Sequence, residues 1–117
     1  MTLLLATFAG AVGAVCRYLL SGLVQRQTRS DFPLGTLAVN LVGALLLGLI
    51  AGTDEFQSAA ILAGAGFFLG GFTTFSTWMI EIIRLGIPPL RARAVANLAL
   101  TLFAGVALAA VGYSLTN

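Results

Sequence analysis

Apolar residues fill four long stretches of this chain, at residues 2–24, 34–52, 58–85 and 92–114, with short polar breaks between them. Each is close to or above the roughly 20 apolar residues that an α-helix needs to cross a bilayer. The breaks carry turn and breaker chemistry. Residues 25–33 are polar and end on Pro33, residues 53–57 hold Asp54 and Glu55, and residues 86–91 hold Pro88 and Pro89. No repeat, linker or low-complexity tail interrupts the pattern. It predicts a single domain over residues 1–117, an all-α membrane protein of four transmembrane helices.

The third stretch is the longest and the least uniform. Residues 66–78 read Gly-Phe-Phe-Leu-Gly-Gly-Phe-Thr-Thr-Phe-Ser-Thr-Trp. The Gly70-Gly71 pair weakens a helix, and Thr73, Thr74, Ser76 and Thr77 supply hydroxyls just beyond it. Lipid offers no hydrogen-bond partners, so irregular backbone at that depth is tolerated only where protein, a cavity or an ion covers it. The pattern predicts a third helix broken mid-membrane beside an ion site. Small residues also recur at close-packing spacing, at Gly10 and Ala14, Gly66 and Gly70, and Gly105 and Ala109.

Composition agrees with a lipid solvent: the chain is 59% hydrophobic and 9% charged, with a mean hydropathy of +1.03. The net charge of +2 rests on arginine alone on the basic side, too little and too dispersed for nucleic acid. Histidine is absent and Cys16 is the single cysteine. An internal disulfide, a zinc site and a Cys/His dyad are therefore excluded, and no nucleophile, base and orienting group can be assembled into an enzyme site. Cys16 is expected to pack as a small apolar residue. No Lys or Arg precedes the first apolar run and Arg17 interrupts it, so that run is expected to be a retained helix rather than a signal peptide.

Loop charge carries topology. Arg26, Arg29, Arg91 and Arg93 fall in or beside the first and third loops, with Arg84 at the border, while the second loop and both ends lack Lys and Arg. The positive-inside rule then puts the termini outside and the arginine loops in the cytoplasm of a plasma-membrane protein.

Few polar residues lie inside the spans. Asn40 sits near the start of the second, and Asn97 and Thr101 occupy one face of the fourth. Arg17 is deep in the first and Glu81 near the end of the third. Each needs protein, water or an ion as partner. Together Asn40, Thr74, Ser76, Asn97 and Thr101 make an uncharged, donor-rich path with no carboxylate at the span centres, as an anion path requires. Phe75 and Trp78, three apart on one helical face beside the break, read by spacing as a core pair, and aromatic ring edges of this kind can also serve an anion path. Arg17 serves as a fixed positive charge or pairs with Glu81 as a structural bridge.

Three motifs carry a resemblance. Residues 13–18 read GAVCRY, residues 35–43 read GTLAVNLVG, and residues 70–77 read GGFTTFST. In these the chain resembles the Fluc (CrcB) fluoride channels along essentially its full length. The resemblance implies an antiparallel dimer with two pores that exports fluoride passively and so relieves its toxicity. It further implies a structural sodium ion, not transported, at the dimer centre, held by the carbonyls of Gly70 and Thr73. Asn40 maps to the pore asparagine, Phe75 to the first fluoride-facing ring and Glu81 to the vestibule glutamate. The fourth-helix polar track maps to Asn97 and Thr101. The chain departs from the family pattern at Trp78, in place of a second phenylalanine, and at Asn97, in place of a tyrosine. Its loop charges are also biased where many relatives are balanced, so the expected antiparallel partner is a second copy or an oppositely oriented paralogue, and the bias points to the paralogue.

Other readings are a small four-helix proton-coupled drug exporter, a noncatalytic scaffold subunit, or a nonconducting partner in a heterodimeric channel. The exporter needs an embedded carboxylate. The first span has none, and Glu81 lies near a helix end. A scaffold would explain the small residues but not the hydroxyl-rich interruption.

Overall fold

The computed structural model describes residues 1–117 and is helical throughout, with no strand. Helix α1 spans Thr2–Thr28 and α2 spans Leu34–Ala51. After a short 3-10 turn at Asp54–Gln57, α3 covers residues 59–72 and contains a π turn at Leu62–Gly66. Helix α4 is Ser76–Leu85, and α5 runs over Arg91–Thr116 with a second π turn at Leu100–Ala104. Four segments, Thr2–Thr28, Leu34–Ala51, Ala59–Leu85 and Arg91–Thr116, are long and apolar enough to cross a membrane. At about 1.5 Å per residue, the 27 residues of α1 reach about 40 Å and the 18 of α2 about 27 Å, against a hydrocarbon core of about 30 Å. The first helix thus runs past Val24 to Thr28, because Gln25 and Arg26 extend it beyond the apolar depth.

The helices pack in two pairs, α1 against the second half of α3, and α2 against the second half of α5; α1 and α2 join the pairs. Backbone proximity explains the pairing. A Cβ on Gly13 would lie 2.1 Å from the Phe68 carbonyl oxygen, and one on Gly71 would lie 2.2 Å from that of Gly10. Gly48 meets the Ala109 backbone in the same way across α2 and α5. Such contacts need residues without a side chain at the crossing point, and they let dispersion and carbonyl dipoles hold helices where lipid removes the hydrophobic drive. Only 19 of 117 residues are buried, and Phe8, Phe103 and Val106 are among the many large apolar side chains that face outward. On a water-soluble domain that surface would aggregate; in a bilayer it is the solvated face.

The first connection is held by one side chain. Arg29 adopts left-handed backbone, with φ of 46°, and closes α1. Gln25 Nε2 donates to the carbonyls of Ser30 and Phe32 at 2.6 and 3.2 Å, and Gln25 Oε1 accepts from the Gly35 amide at 3.1 Å. One amide thereby satisfies loop carbonyls and an otherwise free amide at the start of α2. Asp31 reaches Arg93 at 3.7 Å, linking this loop to the start of α5.

Candidate functional site

Helical geometry stops at Phe72 and resumes at Ser76. Thr73 is extended, with φ of −83° and ψ of 163°. The glycine pair expected to interrupt the helix does not do so: Gly70 and Gly71 are both helical within Phe67–Phe72. Gly71 is used for close approach to Gly10, and helical backbone is lost only after Phe72, where hydroxyl and amide side chains replace helix partners.

The replacement is reciprocal. The Thr74 amide donates to Asn40 Oδ1 at 2.9 Å, and Asn40 Nδ2 donates back to the Thr74 carbonyl at 3.1 Å. In an unbroken helix that Thr74 amide would bond the Gly70 carbonyl, so the exchange leaves the Gly70 oxygen without its usual donor. The Thr74 hydroxyl accepts from the Thr77 amide at 3.3 Å and donates to the Thr77 hydroxyl at 3.1 Å, supporting the first turn of α4. Arg17 reaches in from α1, where Nη1 donates to the Thr73 carbonyl at 3.3 Å. It makes no ion pair with Glu81; the single ion pair of the chain joins Arg93 and Asp31. Of the two roles open to Arg17, the bridge to Glu81 is replaced by a bond to the interrupted backbone.

An open groove of about 470 Å³ lies beside the interruption. Asn40, Thr73, Thr74, Phe75, Trp78 and Thr101 line it, together with small residues of α2 and α3 such as Gly43, Gly66 and Gly70. Phe75 is 68% exposed and meets Trp78 edge-on, with ring centroids 5.7 Å apart and planes at 63°. Trp78 is buried, and its indole Nε1 has no partner within the chain. No acidic or basic side chain lines the groove. Its wall is mostly apolar, with Ala44, Leu47, Leu69 and Leu102 in it, and the polar groups it does present are uncharged amides and hydroxyls beside aromatic edges.

Ser76, Asn97 and Glu81, all expected at the site, stand outside the groove lining. Ser76 is exposed and does not line the groove. Asn97 is fully buried behind it; its Oδ1 accepts from the Thr101 hydroxyl at 3.3 Å, and its Nδ2 has no partner within the chain. Glu81 lies on α4, where one carboxylate oxygen accepts from the Thr36 hydroxyl at 2.6 Å while the other is buried without a partner. Thr36 and Gly43 lie in the 35–43 motif, but the sequence reading gave neither a role at the site. Gly43 holds a place by absence, since a Cβ there would come within 2.2 Å of the Thr73 methyl. A polar residue on a small-residue face of α2 is the signal that points to Thr36.

Residues 4–113 match the family described as CrcB-like protein, Camphor Resistance (CrcB). Over 108 residues the chain is 46% identical to the fluoride-specific ion channel FluC 2 of Mycolicibacterium paratuberculosis, covering 92% of this chain and 88% of that one. It is 44% identical over 110 residues to the fluoride-specific ion channel FluC 1 of Geobacillus kaustophilus, covering 94% and 93%. With the fluoride-specific ion channel FluC 1 of Carboxydothermus hydrogenoformans it shares 40% over 115 residues, covering 98% and 93%.

Proposed function

The chain belongs to the CrcB-like protein family, a multi-pass membrane protein by its four membrane-length helices, and on that footing we propose that it is a fluoride-specific channel. In this reading fluoride leaves the cell down its gradient and cytoplasmic fluoride falls. The observation that carries it is the Asn40–Thr74 exchange, which satisfies both polar groups of the Thr74 backbone beside a largely apolar groove whose few polar groups are uncharged. Fluoride is small and strongly hydrated, so it crosses only where fixed donors replace its water. The second amide hydrogen of Asn40 and the Phe75 edge are groups of that kind; the Thr74 and Thr101 hydroxyls, whose hydrogens go to Thr77 and Asn97 in the subunit, join them by rotating toward the ion. Trp78 offers an N–H with no acceptor in the chain, a stronger donor than the ring edge of a phenylalanine. Asn97 acts through Thr101, Ser76 lies at the outer margin of the path, Glu81 stands at the vestibule beside Thr36, and Arg17 is a fixed positive charge next to the path.

The groove is open on one side, and a second subunit closes it in this proposal. The outward face of α3 supports that role. A Cβ at Gly64, Gly66 or Gly70 meets nothing within 4 Å, in contrast to the inward Gly71. An antiparallel partner seated there, a second copy or an oppositely oriented paralogue, brings two interruptions together at mid-membrane. The oxygens of Gly70 and Thr73 are the hard donors a sodium ion prefers. The Gly70 oxygen has lost its helix donor, and Thr73 shares its oxygen with Arg17. These carbonyls would hold a structural sodium, which would supply positive charge to tie two subunits together. Gly70→Leu is expected to abolish the dimer and its sodium dependence in size-exclusion chromatography. A dimer that tolerates the substitution and ignores sodium would remove this site from the account.

The drug-exporter reading lacks its central element, because the one carboxylate of the third span is tied to Thr36 and stands outside the groove lining. The channel reading is tested with Asn40→Asp, which keeps size, removes the donor to Thr74 and adds negative charge. Fluoride efflux from liposomes is expected to fall at least about tenfold, a barrier change of about 1.4 kcal/mol. Unchanged efflux would take Asn40 out of the path.

A further inference from the structure

The arginine-bearing end of the bundle holds a feature that ion conduction does not use. Tyr18, Leu19, Gly22, Leu23 and Arg26 line a furrow of about 370 Å³ on the outer face of α1. Gly22 makes the furrow, since a Cβ there would meet nothing within 4 Å. Its walls are apolar, with Leu19 and Leu23 exposed. Arg26 crowns the open end, one helical turn beyond Gly22 on the same face.

The charges around that end differ in their engagement. Arg93 is paired with Asp31, and Arg91 Nε donates to the Gly86 carbonyl at 3.4 Å. Arg26 and Arg29 are exposed and have neither an ion-pair partner nor a side-chain hydrogen bond. Two unengaged guanidinium groups therefore stand at the end of an apolar furrow, at the depth where a helix leaves the hydrocarbon. At the opposite end Asp54 and Glu55 are exposed, with no basic residue near them in sequence.

We propose that this furrow is a binding site for an anionic phospholipid. One acyl chain lies along Leu19, Gly22 and Leu23, and the headgroup phosphate is held by Arg26 with Arg29 beside it. The planar guanidinium bonds phosphate in bidentate fashion, and a zwitterionic headgroup gives part of that attraction back through its own cation. The arginine end is then held at the anionic leaflet by a specific lipid as well as by the general surface potential.

The test uses the full-length purified protein and native mass spectrometry, with phosphatidylglycerol and phosphatidylcholine of matched chains supplied in equal amounts. Wild type is expected to retain phosphatidylglycerol about fivefold over phosphatidylcholine, the ratio that one well-placed arginine supplies at a membrane surface. Arg26→Gln is expected to bring the ratio close to one, and Gly22→Leu to lower retention of both lipids by filling the furrow. Arg91→Gln, which removes a guanidinium already bound to Gly86, is expected to keep the preference. Equal retention of the two lipids by wild type would overturn the proposal. So would an equal loss in Arg26→Gln and Arg91→Gln, which would reveal diffuse charge, or a dimer that excludes lipid from α1 by covering it. No fluoride enters the measurement, so its outcome is separate from that of the channel reading.

Discussion

Asn40 is the residue on which most of the site depends. Its one amide meets both polar groups of the Thr74 peptide position, which is 8% exposed and has no helix partner to fall back on. Leaving a buried polar group unmet costs about 1–3 kcal/mol. Asn40→Leu is therefore expected to lower the thermal midpoint by several degrees as well as to stop conduction, whereas a purely pore-lining residue would change flux alone. Phe75 makes the complementary case. It is mostly exposed and its ring touches Trp78 at an edge, so Phe75→Ile is expected to reduce fluoride efflux at least about tenfold while size-exclusion behaviour stays that of wild type. Aggregation or loss of assembly in that variant would assign Phe75 to packing instead. Asn40 was legible in sequence because an amide inside an apolar span must find a partner. Its partner was not legible, since Thr74 is distant along the chain and becomes a neighbour only when α2 crosses the interruption. The same limit applies to Arg17, whose bond to the Thr73 carbonyl depends on how α1 lies against α3.

At the scale of elements, the four spans were readable from hydrophobic length alone, and their observed ends differ from the expected ones by a few residues. What spacing did not reveal is which small residues face which neighbour. Gly10 and Ala14 do meet another helix, at Gly71, but the equally spaced Gly66 and Gly70 face outward. Gly13, Gly48 and Gly112, which touch neighbouring backbones within the chain, belong to no expected pair. Periodicity places a residue on a face without saying what that face meets. The difference has a measurable consequence. Gly13→Ala puts a methyl against the Phe68 carbonyl and is expected to destabilise the subunit by about 1–3 kcal/mol, the usual cost of overpacking. Gly64→Ala meets open space in the subunit and is expected to leave its thermal stability unchanged. Equal losses in the two variants would mean that α1 and α3 do not approach as described.

At the scale of the whole molecule, a shell of exposed apolar side chains surrounds a small buried set, and every arginine except Arg17 lies in or beside the first and third loops. That distribution suits a bilayer, and the positive-inside rule applied to the sequence puts the termini outside as an expectation. Tags on the C-terminus are then expected to react with an impermeant reagent from one side of the membrane only. Equal labelling from both sides would restore a dimer of identical chains in opposite orientations. The central claim is more direct, that the groove beside the Asn40–Thr74 exchange passes fluoride. It is tested by fluoride efflux from liposomes that contain this purified chain alone, read with a fluoride electrode against a chloride control. The account predicts fluoride efflux with chloride retained, from this chain alone if it pairs with itself and otherwise once an oppositely oriented relative is reconstituted with it; efflux of both ions at the same rate, or of neither in both preparations, would contradict it.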